Sequence, residues 1–182
     1  EMIARANKYA NPGDIWVTAG SLPPGVPEDF FAHLIGMLKA KGVRVVFDAS
    51  AAPFKLGSKE IPWMLYPEVP EAERLVGFEI RNFDMAKRAA MTFLQQGIEY
   101  VAIMLENRGL LLSSRNLMVM ASPLKVPVVR VTGARSALCA GLINGFVERL
   151  DLEEIARRAS AFRAAYVSHK DYDAILPEDL KE

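Results

Sequence analysis

A chain of 182 residues that is 51% hydrophobic and 24% charged has a globular rather than a disordered composition, and it is long enough to bury a core. Its 22 basic and 22 acidic residues cancel, which removes the electrostatic argument for binding nucleic acid or an anionic membrane surface. The single cysteine, Cys139, excludes an intrachain disulfide framework and fits a reducing compartment, so we expect a cytoplasmic protein.

Short β-branched runs alternate with amphipathic stretches in the first third of the chain. Asn11, Pro12 and Gly13 stop a first helix, and because the chain begins inside that helix we expect a segment to precede it. Gly42 ends a second helix. The predicted buried face of that helix carries Phe30, Phe31, Leu34, Ile35 and Leu38. The predicted elements are helix 2–9, strand 14–18, helix 27–41 and strand 43–48.

The same alternation continues through the middle of the chain. Gly77 closes one helix and Gly97 closes another, of which Asp84 is the expected N-cap. The predicted elements are strand 63–66, a helix ending at Val76, helix 84–96, strand 100–105 and a pair of hairpin strands at 110–113 and 117–122.

The stretch 126–145 reads V-P-V-V-R-V-T-G-A-R-S-A-L-C-A-G-L-I-N-G, which predicts strand 126–131, a small-residue turn and a helix from Ala134. The first backbone N–H groups of such a helix lack intrahelical acceptors and lie at the positive end of the helix dipole. We therefore expect an anion such as phosphate at Gly133, Ala134, Arg135 and Ser136, although many turns of this kind bind nothing.

A last helix, 152–167, precedes a short helical turn predicted at 177–180. Its alanine-rich face, which close helix packing would explain, carries Ala156, Ala159, Ala161, Ala164 and Ala165. The alternation of strands and helices predicts a three-layer α/β/α sandwich around a mostly parallel sheet. Because no repeat or linker interrupts the pattern, we expect a single α/β domain over residues 1–182.

Residues 132–141, T-G-A-R-S-A-L-C-A-G, resemble the signature T-x-G-A-G-D-S-F-x-A-G of ribokinase-like (PfkB) sugar kinases, especially their phosphofructokinase and tagatose-phosphate kinase branch. The resemblance implies a ribokinase-like fold, ATP and Mg²⁺ as cofactors, and a sugar phosphate as phosphoryl acceptor. In the family, the turn amides hold the transferred phosphoryl group, and the Asp removes the proton of the sugar hydroxyl. Here Ser136 stands at the Asp position, and Arg135 stands at the second glycine. Because a serine hydroxyl is not a general base near neutral pH, we expect impaired catalysis.

A second match is A-G-S-L-P-P-G-V-P at 19–27, which closely resembles the S-G-S-L-P-P-G of the same branch. In the family this loop lies at the carboxyl edge of the sheet near the bound sugar. The resemblance therefore places Gly20 and Ser21 on the substrate side. A connection stiffened by proline and glycine between any strand and helix would show the same pattern.

The stretch 66–71 is similar to the family segment K-P-N-x-x-E-L, whose Asn and Glu help to organise Mg²⁺ and phosphate. Glu71 matches the family Glu, whereas Tyr66 stands at the Lys position and Glu68 at the Asn position. Two carboxylates three residues apart can hold a cation, which makes Glu71 and Glu68 a weak candidate metal site. They are also favourable at a helix N-terminus because of the helix dipole alone.

The stretch that begins at Glu106 corresponds to the family loop S-x-G-x-x-G, in which the backbone lies close to the ATP phosphates. Gly109 is kept, but Glu106 stands at the first glycine, with Arg108 as a counter-charge. The resemblance thus implies a nucleotide-binding set of Glu106, Arg108, Gly109 and Gly141. It also implies that helix 152–167, with its alanine-rich face, packs beside the adenine, as an alternative to close helix packing alone.

The resemblance covers only the later part of the family pattern, so we expect the N-terminal part of the fold to be missing. Three functions remain open: an ATP-dependent sugar-phosphate kinase that is impaired as the chain stands, a non-catalytic nucleotide- or phosphate-binding module, and an assembly subunit. Strand 14–18 would then be an open sheet edge. We accordingly expect a homodimer or pairing with a separate chain, and neither a nucleic acid nor a membrane as partner.

Overall fold

The computed structural model describes residues 1–105 and 108–169, in which the chain divides into two compact units. Unit 1 comprises residues 1–104 and 113–116, and unit 2 takes its described residues from 105–112 and 117–182. The single domain expected over residues 1–182 stays a prediction. None of the described helices is long and apolar enough to cross a membrane. Glu106 and the turn predicted at 177–180 lie outside the described residues.

Unit 1 is built on four parallel strands that follow one another in the sheet as they do in the chain. These are β1 (Ile15–Ala19), β2 (Arg44–Asp48), β3 (Met64–Leu65) and β4 (Tyr100–Met104). Val17 lies opposite Val46, and Phe47 lies opposite Leu65. All four strands were predicted from the apolar runs, to within one residue at each end.

Five helices of unit 1 connect and flank these strands: α1 (Met2–Tyr9), α2 (Phe30–Ala40), α3 (Ala51–Ser58), α4 (Val69–Val76) and α5 (Phe83–Gln95). The predicted buried face of α2 is confirmed for Phe31, Leu34, Ile35 and Leu38, whereas Phe30 is only half-buried. Phe31 packs edge-on against Phe47 of β2, with ring centroids 5.5 Å apart, and Phe47 lies 5.4 Å from Phe54 of α3. The three rings form an aromatic layer between β2 and the helices beside it.

Two local predictions in unit 1 were wrong. Helix α3 was missed because Pro53 and Gly57 look like helix breakers. Pro53 instead lies in the first turn, where proline is tolerated, and a Cβ at Gly57 would come within 2.5 Å of the Phe47 ring. The N-cap of α5 is Asn82 rather than Asp84, because the Asn82 side chain accepts the N–H of Met85 at 3.0 Å.

Unit 2 contains β5 (Leu110–Ser113, of which residues 110–112 belong to this unit), β6 (Met118–Ala121), α6 (Ala134–Val147) and α7 (Leu152–Ser168). β5 and β6 are neighbours in the sheet, as predicted. Helices α6 and α7 approach closely at Gly141, which has no side chain. A Cβ there would lie only 2.7 Å from the Ala159 Cα. The alanine face of α7 is confirmed as a packing surface, with Ala161 half-buried and these four buried: Ala156, Ala159, Ala164 and Ala165.

The strand predicted at 126–131 does not form. The N–H groups of Val129 and Arg130 both donate to the carbonyl oxygen of Val167, at 2.8 and 3.2 Å. These donors are therefore used by the last turn of α7 and not by a strand ladder, and Pro127 has no N–H to contribute. Val128 and Val131 are 61% and 73% exposed, so their β-branched side chains lack the packed surface that favours them in strands.

Candidate functional site

The predicted site residues fall into two groups, one in each unit. Gly20, Ser21, Glu68 and Glu71 belong to unit 1. The residues Arg108, Gly109, Gly133, Ala134, Arg135, Ser136 and Gly141 belong to unit 2. Each group is built by its own local contacts.

The group in unit 1 lies where parallel strands end, the edge at which open α/β sheets bind ligands. Gly20 follows β1 with φ +95°, a left-handed conformation that glycine adopts without strain, and its N–H donates to the Asp48 carbonyl oxygen at 3.0 Å. No atom lies within 4 Å of where a Cβ of Gly20 would stand. Ser21 is exposed beside it, so the loop expected on the substrate side leaves its backbone open.

Glu71 is buried in the first turn of α4, and both of its carboxylate oxygens have partners. One oxygen accepts the N–H of Ala51 at 3.2 Å, and the other forms an ion pair with Arg74. Ala51 itself has φ +55°, which costs an alanine about 1–2 kcal/mol. Sequence analysis identified Glu71 but not its contact with Ala51, because nothing in the local pattern marks a bond between residues twenty positions apart.

The candidate metal pair Glu68 and Glu71 finds no support in this arrangement. Glu68 is the N-cap of α4, and its backbone forms a bridge to Met104. The described residues contain no group of three or more His, Cys, Asp or Glu side chains that could hold a metal ion. Tyr66 is buried, and its hydroxyl donates to the Met104 sulfur at 3.4 Å. The role of Glu68 and Glu71 toward Mg²⁺ stays a prediction.

The group in unit 2 is centred on the start of α6. Gly133 is the N-cap residue with φ +90°, and no side chain caps the helix. The N–H of Ala134 donates to the Val131 carbonyl oxygen at 3.1 Å. Ser136 is exposed in the first turn, beside the half-buried Arg135. Arg135, which stands at the second family glycine, is not among the described residues with positive φ, so it carries no left-handed strain.

Two residues that sequence analysis missed pack against this turn. The Tyr166 hydroxyl lies 2.3 Å from where a Cβ of Gly133 would stand. The guanidinium of Arg130 lies 4.0 Å from the centroid of the Tyr166 ring, and its Nε donates to the Tyr166 carbonyl oxygen at 2.9 Å. An arginine and a tyrosine 36 residues apart carry no sequence signal for this stack.

Packing also explains two glycines assigned to nucleotide binding. Gly109 has φ +102°, and a Cβ there would lie 2.0 Å from the Ala121 carbonyl oxygen. Gly141 faces Ala159 of α7, as described above. Arg108 is exposed. The role of Arg108, Gly109 and Gly141 toward a nucleotide stays a prediction.

The resolved pKa shifts lie away from both groups. The backbone N–H of Asn11 and the indole of Trp16 lower the pKa of the half-buried Asp14 carboxyl. Partial burial, followed by the charge of Glu99, raises the pKa of the Tyr100 phenol.

Comparison with known proteins gives a consistent result. Residues 1–179 match the model of the pfkB family of carbohydrate kinases. The chain is 31% identical over 165 residues to a 1-phosphofructokinase of Vibrio cholerae, covering 91% of this chain and 52% of that protein. It is 35% identical over 159 residues to a 1-phosphofructokinase of Haemophilus influenzae, covering 87% and 51%. The chain thus spans about half the length of the curated relatives it matches.

Solved structures show the same fold. The phosphofructokinase-2 of Escherichia coli, solved in complex with substrates and products, superposes with a TM-score of 0.89 at 23% identity, covering 97% of this chain and 58% of that one. An Arabidopsis thaliana ribokinase complexed with ribose and ATP gives a TM-score of 0.76 at 22% identity, covering 92% and 56%. The ribokinase-like α/β fold predicted from the sequence is therefore confirmed, over about half of each neighbour.

Proposed function

Because this chain belongs to the pfkB family of carbohydrate kinases, we propose that it is the nucleotide-binding portion of an ATP-dependent kinase acting on a phosphorylated ketose. The observation that supports this most directly is the start of α6. There the residues that match the family signature begin a helix at a left-handed glycine with no side-chain cap. Such a helix start favours an anion, which the phosphates of ATP would provide. Arg135 adds a positive charge in the same turn.

As it stands, the chain is catalytically impaired in this proposal. Ser136 occupies the position from which the family Asp takes the proton of the sugar hydroxyl, and it is exposed to solvent. A serine can position a phosphate through its hydroxyl, but it cannot accept that proton near neutral pH. Since positioning and charge stabilisation dominate phosphoryl transfer, the remaining activity depends on groups outside Ser136.

The proposed cofactors are ATP and Mg²⁺. A Mg²⁺ ion bound with ATP would neutralise charge on the transferred phosphoryl group. Both carboxylate oxygens of Glu71, the candidate ligand, have protein partners in Ala51 and Arg74.

The alternative function is a non-catalytic one: a pseudoenzyme that binds nucleotide or phosphate, or an assembly subunit. Two contacts favour it over a kinase. Tyr166 packs against the Cα of Gly133, and Glu71 accepts the N–H of Ala51 at the end of the loop after β2. Both residues thus stabilise the fold at places where the family contacts ligands.

We also propose that the chain associates with a second copy or with a separate chain, in the cytoplasm that its single cysteine favours. Among the described strands β1 pairs only with β2. The backbone N–H and C=O groups on its other edge have no strand partner among the described residues. Val17 of the same strand is 47% exposed.

A calorimetric titration with ATP, with and without Mg²⁺, tests the proposed nucleotide binding. Saturable binding to the wild-type chain is the expected result. Weaker binding of AMP than of ATP would attribute the affinity to the terminal phosphates, as binding at α6 requires. No heat of binding at millimolar ATP would remove both the kinase and the nucleotide-binding module, and would leave the assembly subunit.

A further inference from the structure

The loop that follows β2 leads into a residue with a strained backbone, and that residue is an alanine rather than a glycine. Ala51, where α3 begins, has φ +55°, and the preceding Ser50 has extended backbone and forms no side-chain cap. Left-handed alanine persists only where its surroundings determine the backbone more strongly than its own preference does. The contacts around the loop should therefore reveal what holds it.

Two hydrogen bonds hold the loop from opposite sides. On the β1 side, the N–H of Gly20 donates to the Asp48 carbonyl oxygen at 3.0 Å. On the α4 side, the N–H of Ala51 donates to Glu71 Oε2 at 3.2 Å. Glu71 is only 9% exposed whereas Ala51 is exposed, so the bond between them is part-buried. Hydrogen bonds to a carboxylate are roughly twice as strong as neutral ones.

The second oxygen of Glu71 faces Arg74, one helical turn further along α4. The Arg74 side chain is 61% exposed, and ion pairs with an exposed partner contribute little. Both interactions are part-buried, but they differ in what they join. The bond to Ala51 links residue 71 to the loop after β2, whereas the ion pair stays within α4.

We propose that Glu71 is a positioning residue for the carboxyl edge of the parallel strands. Its carboxylate fixes Ala51 in the left-handed conformation and thereby sets the loop between Asp48, the last residue of β2, and the start of α3. The Gly20 loop and the start of α4 were identified separately in the sequence. In the structure, both form hydrogen bonds to the segment between β2 and α3. This inference concerns unit 1 alone, and it does not depend on whether unit 2 binds a nucleotide.

The backbone of Ala51 supplies the test, because glycine adopts positive φ without strain. Removing the acceptor in Glu71→Ala is expected to speed amide hydrogen exchange at Ala51 by about tenfold or more, measured by NMR. Glu71→Gln keeps an acceptor oxygen and should show a smaller increase. Arg74→Met removes the ion pair alone, and exchange at Ala51 should then stay within about twofold of wild type. Equal acceleration in Glu71→Ala and Arg74→Met would overturn the proposal.

A rescue experiment separates positioning from general packing. Ala51→Gly is expected to raise the midpoint of thermal unfolding of the wild-type chain by about 2 °C. It should also restore part of the stability lost in Glu71→Ala. The matched control is Ala52→Gly, one residue further along α3 and without positive φ, which should lower the midpoint in both backgrounds. If Ala51→Gly lowers the midpoint as Ala52→Gly does, Ala51 is not strained and the proposal fails. This arm uses the wild-type background, so it decides the question even if Glu71→Ala does not fold.

Discussion

The hydroxyl of Tyr166 lies against the bare Cα of Gly133, 2.3 Å from where a Cβ would stand. This contact joins the last turn of α7 to the first residue before α6, and the Arg130 guanidinium stacks on the same ring. Two features therefore favour glycine at position 133: its φ of +90° and the Tyr166 hydroxyl, which leaves no room for a Cβ. The turn expected to admit an anion is shaped by a side chain of the protein itself.

Gly133→Ala is expected to lower the free energy of unfolding by about 2–4 kcal/mol, the sum of left-handed strain and overpacking against Tyr166. Gly13→Ala is the matched control, because Gly13 has φ +88° and no atom within 4 Å of its Cβ position, so it should lose only the strain. Urea unfolding measures both. In a double-mutant cycle, Tyr166→Ala should recover about 1 kcal/mol in the Gly133→Ala background. Additive effects would show that the two residues do not interact.

The isolated chain is expected to show no sugar-dependent ATP consumption. The reasons are Ser136 at the position of the family base and a match that spans about half of the curated relatives. A coupled ADP assay with fructose 1-phosphate, fructose 6-phosphate and tagatose 6-phosphate measures it. Turnover above a control without protein would contradict the impairment.

Arg135→Met is expected to weaken the binding of inorganic sulfate to the start of α6 by about three- to tenfold, since it removes a charge beside the helix N-terminus. Arg157→Met, which removes an exposed arginine of α7, should change the affinity by less than about twofold. Chemical-shift titration of the Gly133 and Ser136 amides reports the site directly. Equal weakening in the two variants, or no shift in wild type, would count against an anion site here.

Stability is expected to fall as the pH rises through the pKa of Tyr100. Partial burial raises this pKa above that of the unfolded chain, near 10, so the folded state holds the phenolic proton more tightly. The contribution is complete below about pH 10 and is lost above it. Tyr100→Phe keeps the edge contact with Trp63 and should flatten the dependence above about pH 10. A dependence that is equally steep in Tyr100→Phe and in the wild-type chain would contradict this assignment to Tyr100.

The chain is expected to associate through the open edge of β1. Light scattering at micromolar concentration should give a mass above the 20.1 kDa of one chain. Val17→Lys places a charge on that edge and should shift the mass toward the monomer, because lysine discourages strand pairing. Met91→Lys, at an exposed methionine of α5, is the control and should leave the mass unchanged. A monomeric wild-type chain would refute the association.

The sequence by itself determined the alternation of strands and helices, the parallel strands of unit 1 and the family. Apolar runs, helix-ending glycines and motif residues depend only on neighbouring positions in the chain, so they can be identified without the tertiary structure. The residues of the α6 helix start were also identified, because a strand-like run, a glycine and a helical period stand next to one another. Even there the strand itself was wrong.

Only the tertiary structure decided which local preference prevails. The β-branched run at 126–131 lost its strand because its N–H groups reach Val167, a residue far along the chain. Helix α3 keeps Gly57 because the Phe47 ring lies against it, and Glu71 bonds to Ala51 twenty residues away. Each of these outcomes depends on which distant backbone or side chain lies nearby. Such neighbours are set by the packing of the whole chain and leave no mark in the spacing of residues.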